Sequence, residues 1–123
     1  MINSEIEKFA RAITIAEGWL PDKESRSFRN HNPGALRSSP IAIGQRNGFA
    51  YFLDDSVGFV ALCWDLAMKC RGLTKTGLKP LDSIEDLIKV YTAEQDLEKL
   101  DNYIKIIERI TGKNRTTKLE YFQ

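Results

Sequence analysis

From Val57 to Arg71 the chain carries only three charged side chains, Asp65, Lys69 and Arg71. Val57, Val60, Ala61, Trp64 and Met68 recur at helical spacing and mark one face. Phe59, Cys63, Leu66, Ala67 and Cys70 mark the adjoining face. A helix over 57–71 that is apolar nearly all round has to be covered on most sides, so it is expected at the centre of the domain. Asp54, Asp55 and Ser56 are its N-cap candidates, and Gly72 ends it.

Three more helices are expected around it. Ser4-Glu5-Ile6-Glu7 reads as a capping box that opens the first, with Ile6, Phe9, Ala10, Ile13 and Ala16 as its stripe and Gly18 as its C-terminal cap. Asp82-Ser83-Ile84-Glu85 reads as a second capping box, opening a helix over 83–92 whose stripe is Ile84, Leu87, Ile88 and Tyr91. Leu100, Tyr103, Ile104, Ile107 and Ile110 form the stripe of a last helix, stopped by Gly112. Between the first two helices, residues 20–55 are broken by Pro21, Pro33, Gly34, Pro40, Gly44 and Gly48. Pro40–Ile43 and Phe49–Leu53 can pair as a hairpin, turning at Gln45-Arg46-Asn47-Gly48. The expected fold class is α+β and predominantly α, with a small β-hairpin excursion after the first helix. One domain is expected over residues 1–112, followed by a polar tail over 113–123. The ending Leu119-Glu120-Tyr121-Phe122-Gln123 is reminiscent of a protease-tag remnant and is set aside from the fold.

A chain of 123 residues, 42% apolar and 28% charged, can bury a core without metals or disulfides. Its net charge of +1, with no basic run interleaved with aromatics, argues against a nucleic-acid partner. No run of about 18 apolar residues is present, so no membrane span is expected. The N-terminus lacks the pattern of a signal peptide. Cys63 and Cys70 stand roughly 10 Å apart along one helix, too far for a disulfide, and read as buried apolar residues. His31 is the only histidine, and no His/Cys cluster has ligand spacing, so neither metal nor other cofactor is expected. With no serine or cysteine placed as its nucleophile, His31 reads as a loop hydrogen-bonding residue rather than a base.

Glu17 is the candidate catalytic residue. It lies on or beside the apolar stripe in the last turn of the first helix, where the helix dipole and partial burial both disfavour ionisation. A carboxylic acid that holds its proton near neutrality suits general-acid catalysis. The alternative is a structural ion pair with Arg26, Arg29 or Arg37. Glycoside cleavage needs such an acid plus a group that stabilises the cationic sugar. Asp22, Glu24, Asp54 and Asp55 are possible second carboxylates, though each also reads as a loop or cap charge. A substrate N-acetyl group can take the role instead. Arg29, Asn30, Asn32, Asn47 and Arg37 offer donors suited to amino sugars. Asn30 and Asn32 also read as residues that bond their own backbone before Pro33-Gly34. Tyr51 or Phe52 can face a groove. The hydroxyl of Tyr91 needs a polar partner, for which Glu17 is one candidate.

Ala16-Glu17-Gly18-Trp19 followed by Arg29-Asn30-His31-Asn32-Pro33-Gly34-Ala35-Leu36-Arg37 resembles a group of phage and bacterial lysozyme-like domains, similar to lytic transglycosylases and goose-type lysozymes. Gly48-Phe49-Ala50-Tyr51-Phe52 with Gly58 and Ala61-Leu62, and the segment from Tyr91 to Asn102-Tyr103-Ile104, carry weaker likeness. The resemblance covers residues 4–112 and implies a lysozyme-like fold that cleaves peptidoglycan glycan strands. It implies that Glu17 protonates the oxygen joining N-acetylmuramic acid to N-acetylglucosamine, with Asn30, Asn32 and Tyr91 shaping the site. In a transglycosylase the muramic 6-hydroxyl then closes an anhydro ring; in a lysozyme, water attacks. His31 and Ala35 stand where the family usually has asparagine, which either removes a sugar contact or alters the turn. These departures, with the lack of a signal-peptide pattern, leave a non-catalytic binding or assembly module of the same fold as the alternative; an intracellular helical regulator is a third reading. An active enzyme would work at the cell wall or periplasm.

Overall fold

The computed structural model describes residues 2–18 and 29–123. Among these residues the protein is mainly helical, with one two-stranded antiparallel sheet. The order is α1 (Ser4–Ala16), β1 (Gly44–Arg46), β2 (Phe49–Tyr51), α2 (Asp55–Cys70), α3 (Ile84–Tyr91) and α4 (Leu97–Thr111), then a 3-10 turn (Leu119–Phe122). No described helix is long and apolar enough to cross a membrane.

Both N-caps sit one residue away from the expected register, and only the second helix start forms a capping box. Asn3, not Ser4, caps α1, its Oδ1 accepting from the Ile6 amide at 2.9 Å. Ser83 caps α3 and exchanges hydrogen bonds with Asp86, so the box is Ser83-to-Asp86 rather than Asp82-to-Glu85. Two good cap residues stand side by side at each helix start, and a one-residue shift costs little when the next residue can also cap.

α1 packs against α4 and α2. Phe9, Ile13, Leu62, Leu66, Ile104 and Ile107 are fully buried in one core. α2 is covered on most of its sides but not on all. Val60 and Trp64 are 41% and 43% exposed, and the buried face is Gly58, Ala61, Leu62, Cys63, Leu66, Ala67, Lys69 and Cys70. Outward, Trp64 and Met68 form with Pro40 and Ile41 a second, apolar groove of about 440 Å³. Cys63 and Cys70 are buried free thiols, and burial pushes Cys63 up to about 11.

The hairpin is tighter than expected. Asn47 and Gly48 have φ of 52° and 83°, the two left-handed positions of a two-residue turn, and Arg46 pairs directly with Phe49. Gln45 and Arg46 therefore belong to β1, and the first strand is Gly44–Arg46 rather than Pro40–Ile43. A turn of this type matches the twist of the flanking strands, which moves the pairing toward the turn. β2 then fastens the preceding loop: the Ala50 amide donates to the Leu36 carbonyl at 3.0 Å, and the Phe52 amide to the Asn30 carbonyl at 2.9 Å.

Setting residues 119–123 aside from the fold is also corrected. Leu119 and Phe122 are fully buried, and the Phe122 ring centroid lies 4.8 Å from that of Phe9. The Leu119 amide donates to the Asp82 carbonyl at 2.8 Å and the Ile84 amide to the Thr117 carbonyl at 3.0 Å. Arg115 ties the segment to α4 through Asp101 at 2.8 Å and Glu108 at 3.0 Å. A polar stretch thus hides two apolar anchors, and the Phe9 ring that one of them meets lies at the opposite end of the chain.

Candidate active site

Glu17 is the C-cap of α1. Its amide donates to the Ile13 carbonyl at 2.8 Å, and Gly18 follows with φ +78°. The left-handed glycine ends the helix, as expected, and leaves the Glu17 side chain at the rim of the core. Its Oε2 accepts a hydrogen bond from the Tyr103 hydroxyl of α4 at 2.7 Å. Burial pushes the Glu17 carboxyl above the ordinary glutamate range, and the Tyr103 hydrogen bond pulls it part of the way back. The net direction is upward.

The partner suggested for Tyr91 is thus corrected. Tyr103 takes Glu17, while the Tyr91 hydroxyl donates to the Gly34 carbonyl. In the sequence Tyr103 is legible as a member of the α4 stripe and of the weakly similar segment around Asn102-Tyr103-Ile104, but not as the partner of Glu17. The available signal is that a buried tyrosine needs a partner for its hydroxyl.

Glu17 opens onto a groove of about 560 Å³. Its walls include Tyr91, Arg37, Asp65, Lys69 and Glu94, with Ala35 and Phe49 beside them. The Arg37 guanidinium lies 4.8 Å from the centre of the Phe49 ring. Among the described residues no ion pair engages Glu17. Arg37 shares the groove, Arg29 is exposed, and Arg26 lies outside the described residues.

Of the other candidates, Tyr91 shares the groove with Glu17. Asn32 is buried, and its side-chain amide is engaged at both ends. Nδ2 donates to the carbonyls of Leu36 (2.8 Å) and Ala50 (3.0 Å), and Oδ1 accepts from the Leu36 amide (2.9 Å). Its role is to knot the loop to β2, the second of the two readings its sequence allows. Asn30 is 5% exposed, and its carbonyl anchors Phe52. Asn47 occupies the exposed hairpin turn, and Tyr51 stacks under the Arg46 guanidinium at 3.9 Å. Neither is among the described residues that line the groove. Asp54 caps α2, and Asp55 pairs with His31 Nδ1 at 2.7 Å, which makes His31 a loop hydrogen-bonding residue. Asp22 and Glu24 lie outside the described residues.

Two glycines let the loop approach. A Cβ on Gly34 would lie 2.6 Å from Leu62 Cδ1 and 2.8 Å from the Tyr91 hydroxyl oxygen. One on Gly58 would lie 1.9 Å from the His31 carbonyl oxygen. Without side chains at these points, the 30–36 loop rests directly on α2 and under Tyr91. Ala35, by contrast, adopts φ 52° with a Cβ in place. Left-handed backbone is costly for alanine and cheaper for glycine or asparagine. Ala35→Gly and Ala35→Asn are each expected to stabilise the fold by about 0.5–1 kcal/mol. Chemical denaturation checks this, and a lowered midpoint in both variants would contradict it.

Tyr103→Phe removes the hydrogen bond that lowers the Glu17 pKa while leaving its burial. The Glu17 carboxyl is expected to titrate at still higher pH in the variant than in the wild type. A carbon-detected NMR titration of the Glu17 carboxyl reads this directly, and a downward move would show that Tyr103 is not its hydrogen-bond donor.

The class these features define is an α-rich α+β domain with a half-buried glutamate at a helix end, opening onto a groove. No protein-family model, no curated protein and no solved structure matches the chain.

Proposed function

We propose that this chain is a lysozyme-like domain that cleaves the β-1,4 bond between N-acetylmuramic acid and N-acetylglucosamine in peptidoglycan. Glu17 is its single general acid/base. The observation that carries the reading is a carboxyl group that burial holds above its ordinary range, placed at the wall of a groove roomy enough for sugar rings. Glu17 delivers its proton to the bridging oxygen as the C–O bond breaks. It then recovers a proton from the muramic 6-hydroxyl as the anhydro ring closes, or from an attacking water. Tyr103 aims the carboxylate. Tyr91 holds the 30–36 loop through Gly34, and Arg37 presents a cation to the substrate.

Digestion of purified sacculi followed by mass spectrometry tests this. Soluble muropeptides are expected, and products one water lighter than hydrolysed ends would assign transglycosylase chemistry over hydrolysis. Absence of any soluble fragment would overturn the enzyme reading. One observation favours a binding or assembly module instead: the Asn32 amide is spent on the backbone, so the loop offers a glycan fewer donors than its composition suggests. Pull-down on peptidoglycan without fragment release is the result that reading requires.

A further inference from the structure

Among the described residues the groove holds two carboxylates besides Glu17, namely Asp65 and Glu94. Glu94 sits in the loop between α3 and α4, and its Oε1 accepts from the Asp96 amide at 3.2 Å. Asp65 stands on α2, one of the elements that build the core, and is held differently. Its Oδ2 accepts from Lys69, one helical turn on, and the Lys69 ammonium lies over the Tyr91 ring, 5.2 Å from its centre. Lys69 is 9% exposed, so this ion pair is part of the groove wall and not a solvated surface pair. Asp65 Oδ1 has no hydrogen-bond partner among the described residues, and no described side-chain oxygen is both buried and unpartnered. That oxygen is therefore solvent-accessible, on a side chain that lines both this groove and the apolar groove of Trp64 and Met68 beside it. Glu17, Asp65 and Tyr91 all line this one groove.

We propose that Asp65, clamped by Lys69, is the second carboxylate of the Glu17 groove and stabilises the positive charge that develops on the sugar ring as its glycosidic bond breaks. The inference rests on the glycosidase reading above. In chemical terms, Glu17 gives a proton to the leaving oxygen, the electron pair of the C–O bond departs with that oxygen, and the ring becomes oxocarbenium-like. A fixed carboxylate oxygen facing that ring lowers the barrier without forming a bond, because the charge it meets exists only in the transition state. Lys69 is a positioning residue: it holds Oδ2 and so fixes the carboxylate in the groove wall.

The test uses the full chain and purified sacculi. Asp65→Asn is expected to lower kcat about 10²-fold with KM changed less than about threefold, since the lost interaction is made only in the transition state. That substitution leaves Lys69 without its counter-charge, so the double variant Asp65→Asn with Lys69→Met separates stability from chemistry. It should regain the wild-type thermal midpoint and remain as slow as Asp65→Asn. Return of activity together with stability would overturn the proposal and make the pair structural. A wild-type rate in Asp65→Asn would overturn it as well, while leaving Glu17 in its role. A wild-type protein that releases no fragments would overturn the glycosidase reading and this inference together.

Discussion

Glu17→Gln is expected to lower muropeptide release from sacculi by about 10²–10⁴-fold, the range a positioned proton donor contributes. Glutamine keeps the shape and can still accept from Tyr103, so the fold should survive. The stability consequence has a definite sign. Glu17 titrates above its ordinary range in the folded protein because burial penalises its charged form. Its contribution to stability is therefore fully present below the ordinary glutamate pKa of about 4.3, and is lost as pH rises through the raised folded value. Glutamine carries no such penalty. The variant should thus melt at or above the wild-type midpoint near pH 8, and the difference should close as pH falls toward 4. Paired melting curves and digestion assays across pH give both readouts. Full clearing by Glu17→Gln would remove this residue from the acid role, and a lower midpoint at pH 8 would mean that its charge is compensated by a neighbouring cation.

Gly58→Ala is expected to cost at least about 2 kcal/mol and to disable the groove at the same time. The added methyl would sit 1.9 Å from the His31 carbonyl oxygen and 2.9 Å from Pro33 Cδ. No rotamer change relieves a clash with backbone, so either the 30–36 loop lifts or α2 shifts. Lifting the loop pulls Gly34 away from the Tyr91 hydroxyl and unties Asn32 from β2. Alanine normally favours a helix interior over glycine by roughly 1 kcal/mol, so a loss here isolates the close approach as its cause. Urea denaturation and amide hydrogen exchange at Leu36 and Ala50 measure it. A stabilised variant with unchanged exchange would show that the loop does not bear on this helix.

Local chemistry made much of the fold legible. The helix stripes, the glycine stops at Gly18, Gly72 and Gly112, and the Asn47-Gly48 turn each follow from spacing, capping and backbone sterics within a few residues. The placing of Glu17 at a helix end beside the core is of the same kind. What the sequence could not disclose depends on contacts across the chain. Tyr103 reaches Glu17 over 86 positions, and Tyr91 reaches Gly34 over 57. From sequence, either tyrosine could serve either partner; the packing of α4 on α1 decides which does. Asp65 and Lys69 read as stray charges on an apolar helix, and only the groove beside them gives the pair a setting. In the sequence Leu119 and Phe122 are set aside because the ending Leu119-Glu120-Tyr121-Phe122-Gln123 is reminiscent of a protease-tag remnant, and two apolar side chains in a polar tail have no periodicity to argue otherwise, yet both complete the core. Periodicity and capping are written into neighbouring residues, whereas the partner of a buried hydroxyl or a short apolar anchor is chosen by geometry that exists only once the helices have packed.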